Sequence, residues 1–82
     1  MPRRLHNWNY QNVIDFLTTN DFHFVKPLAG SHERWIKRGK DGQPDITVEI
    51  NFTHSSYPVK TVSRMIRQSG IDKDEWMKWG GA

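Results

Sequence analysis

Asp45-Ile46-Thr47-Val48-Glu49-Ile50-Asn51-Phe52 decides the fold of this chain. Ile46, Val48, Ile50 and Phe52 alternate strictly with Thr47, Glu49 and Asn51. A period of two sends alternate side chains to opposite faces of a strand, so one face is apolar and the other polar. That pattern predicts an antiparallel sheet packed on a core on one side and left open on the other. Upstream, Gly39-Lys40-Asp41-Gly42-Gln43-Pro44 is rich in turn formers, and Ser31–Arg38 before it reads as the partner strand of a hairpin.

The hairpin register follows from burial. Pairing Arg38 with Asp45 sets Trp35 across from Val48 on the core face, Arg34 across from Glu49, and His32 across from Asn51 on the open face. A slip of one residue would turn His32 and Arg34 inward and leave Trp35 bare. Burying an arginine costs more than burying a tryptophan gains, which selects the first register. It also turns Glu33 inward near Ile50, a placement expected to be tolerable only at the sheet's edge.

Outward from the hairpin, Tyr10, Val13, Ile14 and Leu17 recur at helical spacing, with Asn7 or Asn9 as cap and Asn20-Asp21 as stop. Phe22–Pro27 reads as a short first strand, Phe22 and Phe24 on one side, which Pro27 keeps from being a central one. After the loop Thr53–Pro58, Val62, Met65 and Ile66 mark a helix over Lys60–Ser69, stopped by Gly70. Asp72 and Glu75 are spaced as a capping box for a short last helix, with Ile71 and Trp76 at the staple positions. The expected architecture is α+β: a single two-layer domain over residues 1–82, ordered α-β-β-β-α with a three-stranded antiparallel sheet and a short C-terminal helix. Residues 1–6 are expected to be a flexible leader.

Composition narrows the functional classes. Eighty-two residues allow one modest core, and the chain has no cysteine, hence no disulfide, thiolate metal site or thiol nucleophile. A reducing cytoplasm suits that composition. Apolar runs are far shorter than the roughly 20 residues of a membrane span, and Met1-Pro2-Arg3-Arg4 is not followed by the apolar stretch of a secretory signal. The net charge of +3 is uneven, with residues 1–40 at +4 and residues 41–82 at −1. A basic first half favours phosphate-bearing partners. No two histidines show the spacing of a zinc helix, and no phosphate loop or serine elbow is present, so no metal or small-molecule cofactor is expected.

Gly30-Ser31-His32 stands at the head of the second strand. Imidazole titrates near neutrality and can both accept and return a proton. Single-stranded RNA supplies its own nucleophile, the 2′-hydroxyl, so one histidine as general base and cations to neutralise the phosphate suffice for cleavage. Backbone N–H groups near Gly30 and the side chains of Arg34 or Lys37 are placed for that neutralisation. Lys26 and Lys40 flank the strands; Lys60, Arg64 and Arg67 lie near the exposed side of the second helix, ready to grip phosphates. The competing reading of each cation is a solvated face, and of His32 a surface ring bonded to its own turn. Trp76 and Trp79 are best read as core closure, and His6 and His23 as structural.

Phe22-His23-Phe24, then Gly30-Ser31-His32 with Trp35, then Ile66-Arg67-Gln68-Ser69-Gly70-Ile71 and Glu75-Trp76 together form a pattern that resembles HicA toxins. These are small RNA-cleaving proteins (mRNA interferases) of bacterial toxin–antitoxin pairs with a double-stranded-RNA-binding-domain-like fold. The resemblance covers about residues 8–79. It implies that His32 is the catalytic residue, that Ser31 and Gly30 shape its turn, and that a HicB antitoxin covers the active site. The chain departs from the family after the third strand, where many members read Val-Pro-x-His and this one has Asn51-Phe52-Thr53-His54. His54 is thus a candidate second acid–base group and otherwise a loop histidine. Two further classes compete with the toxin ribonuclease: a non-catalytic RNA-binding module of the same fold, and an inactive domain that only docks an antitoxin.

Overall fold

Asn9 starts the first helix, α1 (Tyr10–Thr19), by a reciprocal box: its side chain accepts from the Asn12 N–H at 2.8 Å, and the Asn12 side chain accepts from the Asn9 N–H at 3.1 Å. Two of the helix's orphan donors are satisfied in this way, with Asn standing where Glu or Gln is usual. Asn20 closes the helix and Asp21 turns the chain in the left-handed region at φ 70°. The buried stripe is Val13, Phe16 and Leu17, while Tyr10 and Ile14 of the expected stripe pack at its margin. This structure, a computed structural model, describes residues 7–53 and 56–81. The flexible leader expected over residues 1–6 lies outside the described residues.

Three antiparallel strands follow, β1 (His23–Pro27), β2 (His32–Lys37) and β3 (Ile46–Asn51), in the spatial order β1-β2-β3. The β2–β3 register is the expected one, with His32 opposite Asn51, Arg34 opposite Glu49 and Trp35 opposite Val48. β2 is the central strand, so Glu33 is not at an edge as expected. It faces the helices and is accommodated by two donors: Tyr10 Oη gives a hydrogen bond to its Oε1 at 2.8 Å, and Trp35 Nε1 to the same oxygen at 3.0 Å. A carboxylate can sit among apolar groups when its oxygens are hydrogen-bonded.

β1 departs from simple alternation. Phe24 pairs with Trp35 but Lys26 pairs with Arg34, so the register shifts between Phe24 and Lys26. This bulge spends Val25 as the extra residue and moves Lys26 to the open face beside Arg34. Phe22 is buried ahead of the strand, whereas Phe24, expected on the same apolar side, is half exposed and meets the Trp35 ring edge-on at 6.1 Å. Phe52, also expected in the core, is 44% exposed. The Asn51 side chain accepts from the Thr53 N–H at 2.9 Å and from the Thr53 hydroxyl at 2.7 Å, which ends β3 one residue early.

The helices α1, α2 (Val59–Ser69) and α3 (Lys73–Gly81) cover one face of the sheet. Trp35, Val48 and Ile50 from the strands meet Val62 and Met65 of α2 and a ring cluster of Trp8, Phe16 and Trp76. Phe16 and Trp76 lie 4.4 Å apart by ring centroid, Trp8 and Trp76 5.5 Å. The C-terminal tryptophans therefore close the core, as expected for Trp76 and Trp79. Gly70 ends α2 at φ 70°, a conformation that glycine adopts without penalty. Buried Ser69 ties the two last helices, donating to Ile66 O at 2.8 Å and accepting from Ile71 N at 3.1 Å and Trp76 Nε1 at 3.3 Å. α2 also covers the outer edge of β3, where the Gln68 side chain accepts from the Glu49 N–H at 3.1 Å. Among the described residues no helix is long and apolar enough to cross a membrane.

Candidate active site

The start of β2 is pinned on both sides. Gly30 turns the chain at φ 73°, Leu28 N–H donates to His32 O at 2.8 Å, and Phe52 N–H donates to Ser31 O at 3.0 Å. A Cβ at Gly30 would meet nothing closer than ordinary contact with the His32 ring, so its backbone conformation, not space, calls for glycine. His32 then projects from the sheet's open face, opposite Asn51.

Glu49 was anticipated only as the partner of Arg34. Its carboxylate instead reaches along the face to His32, with Oε1 3.1 Å from Nδ1. Nδ1 is shielded from solvent and makes no aligned hydrogen bond; what it faces is this carboxylate. The His32 side chain as a whole is 33% exposed, so the solvent-reachable part of the ring is the side away from Nδ1. Turning Nδ1 toward a carboxylate leaves Nε2 as the nitrogen that can exchange protons with a substrate. The register contained the signal for Glu49: with His32 opposite Asn51, the residue two before Asn51 is its diagonal neighbour on the same face, within reach of a long side chain.

Arg34 lies next along the same face, exposed, with Lys26 across from it on β1 and Glu49 across from it on β3. Among the described residues neither Arg34 nor Lys26 makes an ion pair. Imidazole, carboxylate and two cations without an ion pair among the described residues thus share one solvent-facing patch, groups able to exchange a proton and to offset negative charge.

Other expected site residues are elsewhere. Lys37 is on the opposite parity of β2 from His32, half-buried on the helix side at the far end of the strand. Lys60 is exposed on the first turn of α2, and Arg64 is half-buried on the same helix with its Nε shielded from solvent. Lys37 thus faces away from the His32 patch, and among the described residues no ion pair joins Lys60 or Arg64 to Glu49. Ser31 flanks it through its backbone, and His54 lies outside the described residues. Among the described residues no three His, Asp or Glu side chains gather as a metal centre would need. No protein-family model matches the chain, and no curated protein matches it.

Proposed function

We propose that the protein is an endoribonuclease of the HicA toxin type that cuts single-stranded RNA in the cytoplasm. The observation that carries this reading is the imidazole of His32 on an open sheet face, its Nδ1 turned to Glu49 at 3.1 Å and Arg34 and Lys26 beside it. The order of helices and strands suits the double-stranded-RNA-binding-domain-like fold that the sequence resemblance implies.

In the proposed reaction Nε2 of His32 takes the proton of the 2′-hydroxyl. The 2′-oxygen attacks phosphorus, Arg34 and Lys26 offset the charge that builds on the phosphoryl oxygens, and the bond to the 5′-oxygen breaks. The leaving oxygen takes its proton from solvent, and the products are a 2′,3′-cyclic phosphate and a 5′-hydroxyl. Glu49 fixes the ring and balances the charge it gains. No metal enters these steps. A HicB-like antitoxin would silence the enzyme by covering the open face.

The test is to incubate the protein with single-stranded RNA in EDTA, beside His32→Ala and a substrate with 2′-deoxyribose at the cut. Cleavage confined to the unmodified protein and the ribose substrate is expected. Cutting of the deoxy substrate, or equal cutting by His32→Ala, refutes the mechanism. Retention of RNA without cutting by the unmodified protein makes it a binding module instead.

A further inference from the structure

His32, Arg34 and Ile36 share the open face of β2, and Arg38, one step past the strand, continues that parity with 73% of its side chain exposed. This track ends at the hairpin tip, and round it, toward the helix side where Lys37 and Ile46 lie, a cleft of about 360 Å³ opens. Lys37, Arg38 and Lys40 supply three cations to its wall, and Gln43, Pro44 and Ile46 supply an amide and an apolar floor. Asp21, just past the end of α1, is the one carboxylate lining it among the described residues. Arg38 is shared with Asp45 at 3.3 Å, but among the described residues Lys37 and Lys40 make no ion pair.

The tip is a built structure. Asp45 Oδ1 accepts from the Gly39 N–H at 2.8 Å, and the Gln43 N–H donates to Lys40 O at 2.9 Å. A Cβ on Gly39 would overlap the Gln43 carbonyl oxygen, so the two arms of the tip are in direct backbone contact. Asp41 and Gly42 both take left-handed backbone, at φ 52° and 83°, to close the turn between them. The backbone that carries the cations is therefore ordered before any ligand arrives, which lowers the ordering cost of binding.

We propose that this cleft is an anchoring subsite for one nucleotide of the RNA strand, remote from the bond that is cut. It rests on the ribonuclease reading above. Lys37 and Lys40 take the phosphate, and Pro44 with Ile46 takes the face of the base or sugar. The subsite lies about 17 Å from His32 by strand rise and round the hairpin tip from the open face, so a dinucleotide bound at the imidazole does not reach it and a strand long enough to pass the tip does. A cationic groove that follows the backbone is the general device for holding single strands.

The test compares Lys37→Ala/Lys40→Ala and Lys37→Gln/Lys40→Gln with the unmodified protein on a dinucleotide and on a strand of about ten nucleotides, a length within the usual single-strand site sizes. Matched urea midpoints establish folding. The expected result is that the kcat/KM advantage of the long strand over the short one shrinks by about tenfold, and that the salt slope of long-strand binding to His32→Ala falls by about one. An unchanged advantage overturns the subsite. Should the unmodified protein bind RNA but never cut it, the ribonuclease reading falls while the subsite stands, provided the lysine variants still weaken long-strand retention. Equal retention there, or displacement of an acidic peptide but not of RNA by the lysine substitutions, assigns the cleft to a protein partner and overturns the proposal.

Discussion

Replacing Glu33 should unsettle the whole face on which the central strand β2 rests. Its Oε1 accepts from Tyr10 Oη at 2.8 Å and from Trp35 Nε1 at 3.0 Å, and Trp35 is buried. Hydrogen bonds to a charged acceptor are worth about 1.5–3 kcal/mol each, and a buried donor left unmet forfeits its solvation as well. Tyr10 is only partly buried and can turn to water, so Glu33→Leu is expected to cost about 3 kcal/mol rather than the full sum. In a domain of this size that lowers Tm by roughly 10–20 °C. Glu33→Gln keeps an acceptor of the same shape and should cost about 1 kcal/mol. The second readout is Tyr10 itself, whose phenol is pushed up to about 12 by burial first, then by its bond to Glu33 and that carboxylate's charge. The folded state holds this proton more tightly than the unfolded chain, so the stabilisation is complete below pH 10 and is lost as pH rises toward 12. Tyr57, raised in the same direction chiefly by burial, extends that loss to higher pH. In Glu33→Gln the Tyr10 titration should move down but stop short of its ordinary value, because burial remains. Urea unfolding across pH and a tyrosinate difference titration check both. A cost under about 1 kcal/mol for Glu33→Leu, with Tyr10 titrating unchanged, refutes the account of an inward carboxylate held by two donors.

On the proposed reacting face, His32→Ala should lower the rate of the proposed RNA cleavage by on the order of 10²–10⁴, the range of a lost general base. Glu49→Gln should lower kcat by less than that and shift the pH–rate profile, a change that a purely structural role for Glu49 does not produce. Arg34→Ala should raise KM and reduce the salt slope of RNA binding by about one, measured by titration at several ionic strengths. Trp76→Ala, which empties the ring cluster with Trp8 and Phe16, should cost about 3–5 kcal/mol in urea unfolding.

The register was legible because it was over-determined. Trp35, Val48 and Ile50 had to face one way and Arg34 the other, and only one pairing of the hairpin satisfied both. Helix α1 and the stop at Gly70 were readable for the same reason, since cap chemistry and apolar spacing agreed. β1 was not, because a bulge has no compositional mark: Val25 and Lys26 look like ordinary alternation, and only the partner strand shows that the pattern shifts. Phe24 and Phe52 misled for a related reason, since hydrophobic identity predicts burial only where the strand continues flat over a core. The tolerance of Glu33 was hidden as well, because its donors come from α1, a stretch 23 residues away in the chain, and from Trp35 two residues on.

One determinant therefore sets both the core and the candidate site. Even-numbered residues of β2 carry imidazole and guanidinium to the open face, and odd-numbered ones carry Glu33 and Trp35 to the helices. A one-residue slip would bury Arg34 and strip Trp35 in the same motion, so every contribution to core stability also holds His32 against Glu49. β1 escapes that coupling through its bulge, which delivers Lys26 to the open face while Phe24 still meets Trp35 behind it. Deleting Val25 would remove the extra residue and leave Lys26 directly after Phe24, still opposite Arg34 on the open face. The sheet and the charge beside His32 would both persist, and the change would fall on the local bend and twist of β1. The face that Lys26 takes is therefore set by its pairing with Arg34, and counting alternate residues from Phe24 misplaces it by the one residue that the bulge absorbs.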